Sequence, residues 1–161
     1  MLELLESGAL TPRKPLGRRV TYHDPCTLGR YNGVYEPPRQ ILAAIGCELV
    51  EMPRNRDNSF CCGAGGGHMW VEESKGKRIN VARTEEAVAT GAQVIATACP
   101  FCIQMFEDGI PTVQPDDTKR MKTFDVAELL ELTVIGRPRG GSPAADAMGI
   151  AAPEAEPAAS E

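Results

Sequence analysis

Aromatic side chains are scarce in this chain, with 1 Trp, 3 Tyr and 4 Phe among 161 residues. A core must therefore be packed from Ile, Leu, Val and Ala, and a chain of this length has material for one core. Positive charge is also in deficit: 17 Lys and Arg stand against 22 Asp and Glu, a net charge of -5. Such a surface offers no basic face for phosphates, which argues against a nucleic-acid partner. No stretch approaches the roughly 18 apolar residues of a membrane helix. The start, Met1-Leu2-Glu3-Leu4-Leu5-Glu6, lacks the basic and apolar regions of a secretory signal, so a cytoplasmic location is expected. In that reducing compartment the 6 cysteines are expected to serve metals or redox chemistry rather than disulfides. The glycines lack the Gly-x-Gly-x-x-Gly spacing between a strand and a helix, which gives flavin or NAD binding little support.

What the chain does have is Phe60-Cys61-Cys62-Gly63-Ala64-Gly65-Gly66-Gly67-His68. Adjacent thiols followed by nearly bare backbone make a poor helix and a poor core, so a metal or metal-sulfur cluster is the candidate source of local stability. Cys26 lies upstream, and Cys99 and Cys102 lie downstream.

The remaining pattern is that of an α/β domain. Residues 1–18, broken by Pro12 and Pro15, read as an incoming linker. Residues 19–23 form a β-prone run that stops at Asp24-Pro25-Cys26. Pro37 and Pro38 start a helix whose Ile41, Leu42 and Ile45 form one stripe, ended by Gly46. Residues 47–52 alternate as a second strand closed by Pro53. A long loop to Gly67 follows, then a helical pattern over about 71–90 with Gly91 as its cap. Residues 92–98 read as a strand buried on both faces, and Cys99-Pro100-Phe101-Cys102 begins the next helix. Residues 122–124 suggest a fourth strand, and Asp125 caps a helix over 126–132. The expected fold is a mostly parallel sheet with flanking helices over residues 19–136, with the Gly, Pro, Ala and Glu of 137–161 forming a disordered tail.

In open parallel sheets ligands bind beyond the carboxyl ends of the strands. Cys26, Cys61 with Cys62, and Cys99 with Cys102 each follow a predicted strand, at intervals close to the ~30 residues of a βαβ unit. Five thiols exceed the four of a tetrahedral zinc site, and adjacent cysteines chelate one small ion poorly, whereas a multi-iron cluster has several corners to ligate. The positive end of the helix that begins at Cys99 favours an anionic cluster. Gly63, Gly65 and Gly66 let backbone approach and donate N–H groups to sulfide, making them candidate cofactor-binding residues. Cys47 stands outside the pattern and reads as a small buried hydrophobe. Cys99-Pro100-Phe101-Cys102 alone would suit a dithiol redox protein, but such a protein needs neither Cys26 nor the Cys-Cys-Gly loop. His23 and His68, both beside cysteines, could donate hydrogen bonds to a cluster or move a proton. Met69 and Trp70 are expected to cover the cluster or join the core, and Arg54 and Arg56 to be solvated or to dock an acidic partner.

His23-Asp24-Pro25-Cys26, Cys61-Cys62-Gly63 and Cys99-Pro100-Phe101-Cys102 together resemble the cysteine-rich CCG domain of the heterodisulfide reductase B subunit and its relatives. Those relatives include iron-sulfur subunits of glycolate oxidase and lactate utilisation enzymes. Residues 51–56 and 61–70 look most like the long bacterial iron-sulfur oxidoreductases linked to electron-transfer flavoprotein. The resemblance spans about residues 20–132. It implies a 4Fe-4S cluster, noncubane in the five-cysteine form, held by Cys26, Cys61, Cys62, Cys99 and Cys102. It also implies electron transfer or disulfide cleavage, with His23 as the candidate catalytic residue. Family members commonly carry two such modules and a ferredoxin-like Cys-x-x-Cys-x-x-Cys run. This sequence has one module and no such run, and so looks like the C-terminal module of a longer protein or a separately encoded remnant. It would need a ferredoxin-like or flavoprotein partner, and any membrane association would come through that partner. The alternative is a zinc-stabilised interaction module without catalysis.

Overall fold

In the computed structural model, residues 1–71 and 76–134 are described. The elements in chain order are α1 (Leu2–Glu6), β1 (Arg19–Tyr22), α2 (Glu36–Ala44), β2 (Glu48–Leu49), α3 (Ile79–Ala89), β3 (Val94–Thr97), α4 (Pro100–Val113), β4 (Lys122–Asp125) and α5 (Val126–Val134). All strand pairs are parallel and the sheet order is β2-β1-β3-β4. This is the α/β architecture expected from the alternation of strand and helix patterns. No helix among the described residues is long and apolar enough to cross a membrane.

The two faces of the sheet follow from the period-2 alternation of side chains along each strand. Val20, Tyr22, Val94, Ala96 and Phe124 point to one face, where Leu42 and Ile45 from the α2 region and Leu129 and Leu130 of α5 cover them. Ile95 points to the other and packs with Met52, Ala87, Phe106 and Ile110, under α3 and α4. Burying each such aliphatic side chain contributes about 1.5–3 kcal/mol. The α3 and α4 helices approach closely at Gly109, where a Cβ would lie 2.4 Å from Thr84 Oγ1.

The chain leaves β1 toward α2 on one face and leaves β3 toward α4 on the other. A crevice therefore opens between the carboxyl ends of these adjacent strands, the place where open α/β sheets bind ligands.

Three expectations differ from the structure in detail. Residues 1–18 do not form a free linker. Leu2, Leu5, Leu10 and Leu16 pack on the α2 and α5 core, the Arg13 amide donates to the Thr133 carbonyl at 2.8 Å, and Gly46 abuts Pro15. Their spacing follows no single helical period, so sequence periodicity does not reveal them. The second strand is shorter than 47–52, because Met52 turns into the α3 and α4 core instead of continuing the ladder. The following helix starts at Ile79 rather than 71, preceded by two 3-10 turns over Gly65–Trp70. Gly66 and Gly67 join these turns at φ 65 and 77, conformations that favour glycine. The part of the expected helix at 72–75, and the expected disordered tail at 137–161, lie outside the described residues.

Candidate metal centre

Three segments converge on the crevice. The first leaves β1 at His23, whose amide still joins the ladder by donating to the Ala96 carbonyl at 2.8 Å. Its next residue, Asp24, is held by a buried ion network. Arg39, 4% exposed, donates to both Asp24 oxygens at 2.7 and 2.9 Å, to both Glu51 oxygens at 2.6 and 3.1 Å, and to the Tyr35 carbonyl. Charges this deep persist only when paired and fully hydrogen-bonded.

The second segment, after β2, is fastened to the first. The Arg56 amide donates to Asp24 Oδ2 at 2.8 Å, Ser59 Oγ to the Asp24 carbonyl at 3.3 Å, and Arg30 to the Ser59 carbonyl at 2.7 Å. Arg56 has φ 53, in the left-handed region, at a typical expense of about 1–3 kcal/mol that these bonds offset. Its side chain pairs with Glu36 and Glu51, while Arg54 pairs with Glu86 and lies over the Phe60 ring at 3.8 Å. Arg54 and Arg56 therefore fasten the loop internally.

The third segment begins α4, with Cys99 at its N-cap and Pro100 in its first turn. Cys102 Sγ lies 3.3 Å from Cys62 Sγ, so its thiol partner comes from another segment, an arrangement a simple dithiol protein does not require. Cys62, Cys102 and Met105 form a small buried cluster against which Cys99, Ala64 and Met69 pack. Cys62 also lines a cavity with Cys26, Cys61, His23, Asp24 and Arg30. The two groupings adjoin at Cys62, one holding Cys99 and Cys102 and the other Cys26 and Cys61. A ring nitrogen of His23 lies within 4.8 Å of the Cys62 and Cys102 sulfurs.

The electrostatics of this pocket suit a cation. The hydrogen bond with Cys102, followed by burial, pushes the Cys62 thiol up to about 12. The hydrogen bond with Cys62, and then burial, raises Cys61 further. Protein groups alone thus leave these thiols protonated at neutral pH, and a metal bound there would supply the charge that favours thiolate. The backbone is already set for thiolate: the Gly63 amide donates to Cys61 Sγ at 3.3 Å. A site rich in thiols, with amide support at Cys61, fits an iron-sulfur cluster.

His23 is fully enclosed. Burial first, and then the Arg83 charge, hold its pKa well below the usual histidine value, so the ring is neutral. Arg83 Nε donates to His23 Nδ1 at 3.1 Å, and Phe106 stands edge-on to the imidazole, with ring centroids 5.1 Å apart.

Other predicted residues lie elsewhere. Cys47 packs beside the α2 core, with burial pushing its thiol up to about 11. Gly63 is buried at φ 96, whereas Gly65 and Gly66 are exposed and face open space, as turn formers. His68 is exposed. Of the pair over the cluster, Met69 packs against the cysteines and Trp70 is 76% exposed. Arg39, Arg83 and Glu86 escape a sequence reading. Arg39 has a visible signal, since it lies one turn from Leu42 on the apolar stripe. Arg83 has none, because the buried face of α3 is Asn80, Arg83, Thr84 and Ala87, mostly polar.

A family model described as a cysteine-rich domain, CCG, matches residues 20–107. The chain is 53% identical over 137 residues to a probable iron-sulfur-binding oxidoreductase FadF of Bacillus subtilis, covering 84% of this chain and 19% of that protein. It is 44% identical over 137 residues to the EtfAB:quinone oxidoreductase of Syntrophomonas wolfei, covering 81% and 19%. It is 38% identical over 133 residues to a dihydromethanophenazine:CoB–CoM heterodisulfide reductase subunit of Methanosarcina acetivorans, covering 82% and 32%. The chain thus spans 19% of the length of the first two relatives.

Proposed function

The chain belongs to the cysteine-rich CCG domain family, and from that premise we propose that it is the iron-sulfur-binding, electron-transfer module of a larger oxidoreductase. The observation that carries this reading is the sharing of Cys62 between two thiol groupings, which fits a multi-metal centre with several corners. Cys26, Cys61, Cys62, Cys99 and Cys102 would be the ligands. Bound there, a 4Fe-4S cluster, noncubane in the five-thiol form, supplies one-electron chemistry. Met105 and Met69 keep water from the inner sulfurs, and the Gly63 amide stabilises thiolate at Cys61.

Electrons would arrive from and leave to a ferredoxin-like or flavoprotein partner, in keeping with the names of the oxidoreductase relatives. His23, beside the inner sulfurs, is the polar group placed to serve the reaction. The chain works in the cytoplasm in this reading, and reaches a membrane only through a partner.

Anaerobic reconstitution with iron and sulfide tests the proposal. About four irons per chain and a coloured product are expected. A colourless protein that keeps only zinc would establish the second reading, an interaction module stabilised by zinc, for which the compact grouping of His23, Cys62 and Cys102 is the supporting observation.

A further inference from the structure

Arg83 is a guanidinium at 0% exposure in the middle of α3. Moving such a charge out of water costs several kcal/mol even after relaxation, and a carboxylate partner must offset it. Glu86 provides that partner at 2.8 Å from Nη1, which also donates to the Arg54 carbonyl at 2.9 Å. Nη2 has no partner among the described residues. That leaves Nε, whose hydrogen bond goes neither to a carboxylate nor to the backbone but to His23 Nδ1.

An arginine nitrogen only donates, and arginine stays protonated in proteins. The His23 Nδ1 facing it must therefore present a lone pair. A neutral imidazole carries one ring proton, which then has to sit on Nε2. Phe106 against the ring and the His23 amide bond to Ala96 keep the residue in place.

We infer that Arg83 is a positioning residue that fixes His23 as the Nε2–H tautomer, so that the imidazole meets the Cys62 and Cys102 sulfurs as a hydrogen-bond donor and not as a metal ligand. A nitrogen that carries its proton has no lone pair for a metal. With Nδ1 engaged by Arg83 and Nε2 carrying the proton, neither ring nitrogen has a lone pair free for a metal, so the compact trio is not a three-ligand zinc site. An N–H donated to a ligating sulfur withdraws negative charge from it, and hydrogen bonds to the sulfurs are among the features that set cluster potential. The role toward the cluster rests on the ligand assignment proposed above; the tautomer does not.

The tautomer is read in the metal-free, reduced, 15N-labelled full chain by long-range proton-nitrogen correlation of the imidazole rings, with His23→Gln assigning the signal. The wild type should show one neutral Nε2–H form. Arg83→Met should give a mixture of tautomers, and Arg83→Lys should largely restore the single form. A wild-type ring protonated at Nδ1, or spectra unchanged in Arg83→Met, would overturn the inference, and the wild-type spectrum decides even where the variants fold poorly. After reconstitution, His23→Phe should keep the full iron content with a lowered midpoint potential, and His23→Gln, which keeps an N–H donor, should stay nearer the wild type. Loss of iron in both variants would make His23 a ligand and refute the donor role. An Nε2–H ring in a chain that binds no iron would fail the cluster reading while leaving the Arg83 assignment standing.

Discussion

Replacing Arg39 by Met would leave the Asp24 carboxylate, its side chain 2% exposed, with no cation beside it. Breaking a buried pair from one side costs about 3–5 kcal/mol, so Arg39→Met should lower the urea midpoint strongly. It should also loosen the turn that delivers Cys26. At Glu86, burial pushes the carboxyl pKa up, but hydrogen bonds from the Arg54 amide and side chain and from Arg83 outweigh it and hold the pKa below its ordinary value of 4.5. A folded-state pKa below the unfolded one gives stability that is present above about pH 4.5 and is lost as pH falls through the folded value. Glu86→Gln should therefore weaken the protein at pH 7 and flatten the acid limb of a stability profile measured by urea melts. Among the thiols, Cys61→Ser should abolish the reconstituted cluster, while Cys47→Ser should retain full iron and absorbance. Equal loss in both would overturn the ligand assignment.

At the scale of elements, the contact of α3 with α4 is set by Gly109. Alanine is the better helix former by about 1 kcal/mol, yet its Cβ would meet Thr84 Oγ1 at 2.4 Å and the Asn80 carbonyl at 3.2 Å. Overpacking of this kind typically costs about 1–3 kcal/mol, so Gly109→Ala should be net destabilising in thermal melts, and Thr84→Ala should recover part of the loss in the double variant. The strands and most helices were legible because their signals are local. Val94 to Thr97 form an apolar run between turn residues, and Pro37, Pro38 and Gly46 punctuate α2. The start of α3 was not legible, since the charged residues before Ile79 satisfy a helical composition while the glycines ahead of them turn the chain. The packing of Leu10 and Leu16 was equally hidden, because it depends on where α2 and α5 end in space.

At the scale of the molecule, the convergence of three cysteine segments was readable from their positions after strands. What was not readable is the polar scaffold behind them. Arg39, Asp24 and Glu51, like Arg83, Glu86 and Arg54, join segments far apart in sequence, and beyond the place of Arg39 on the α2 stripe nothing local marks these arginines as interior. The sheet itself is unevenly held. β3 is hydrogen-bonded on both sides, whereas β2 is a short strand that pairs with β1 on one side only, at an outer edge. Openings start where few bonds must break, so in the metal-free chain β2 amides should exchange with deuterium well before those of β3, as read by exchange mass spectrometry. A β3 that exchanged first would contradict this order. The strand that opens most readily is also the one that leads to Cys61 and Cys62. Two arms of the site thus leave the sheet from its inner strands and the third leaves from an outer edge, so the arm carrying the adjacent thiols depends for its place on the side-chain bonds around Asp24 and Arg56 more than on the ladder.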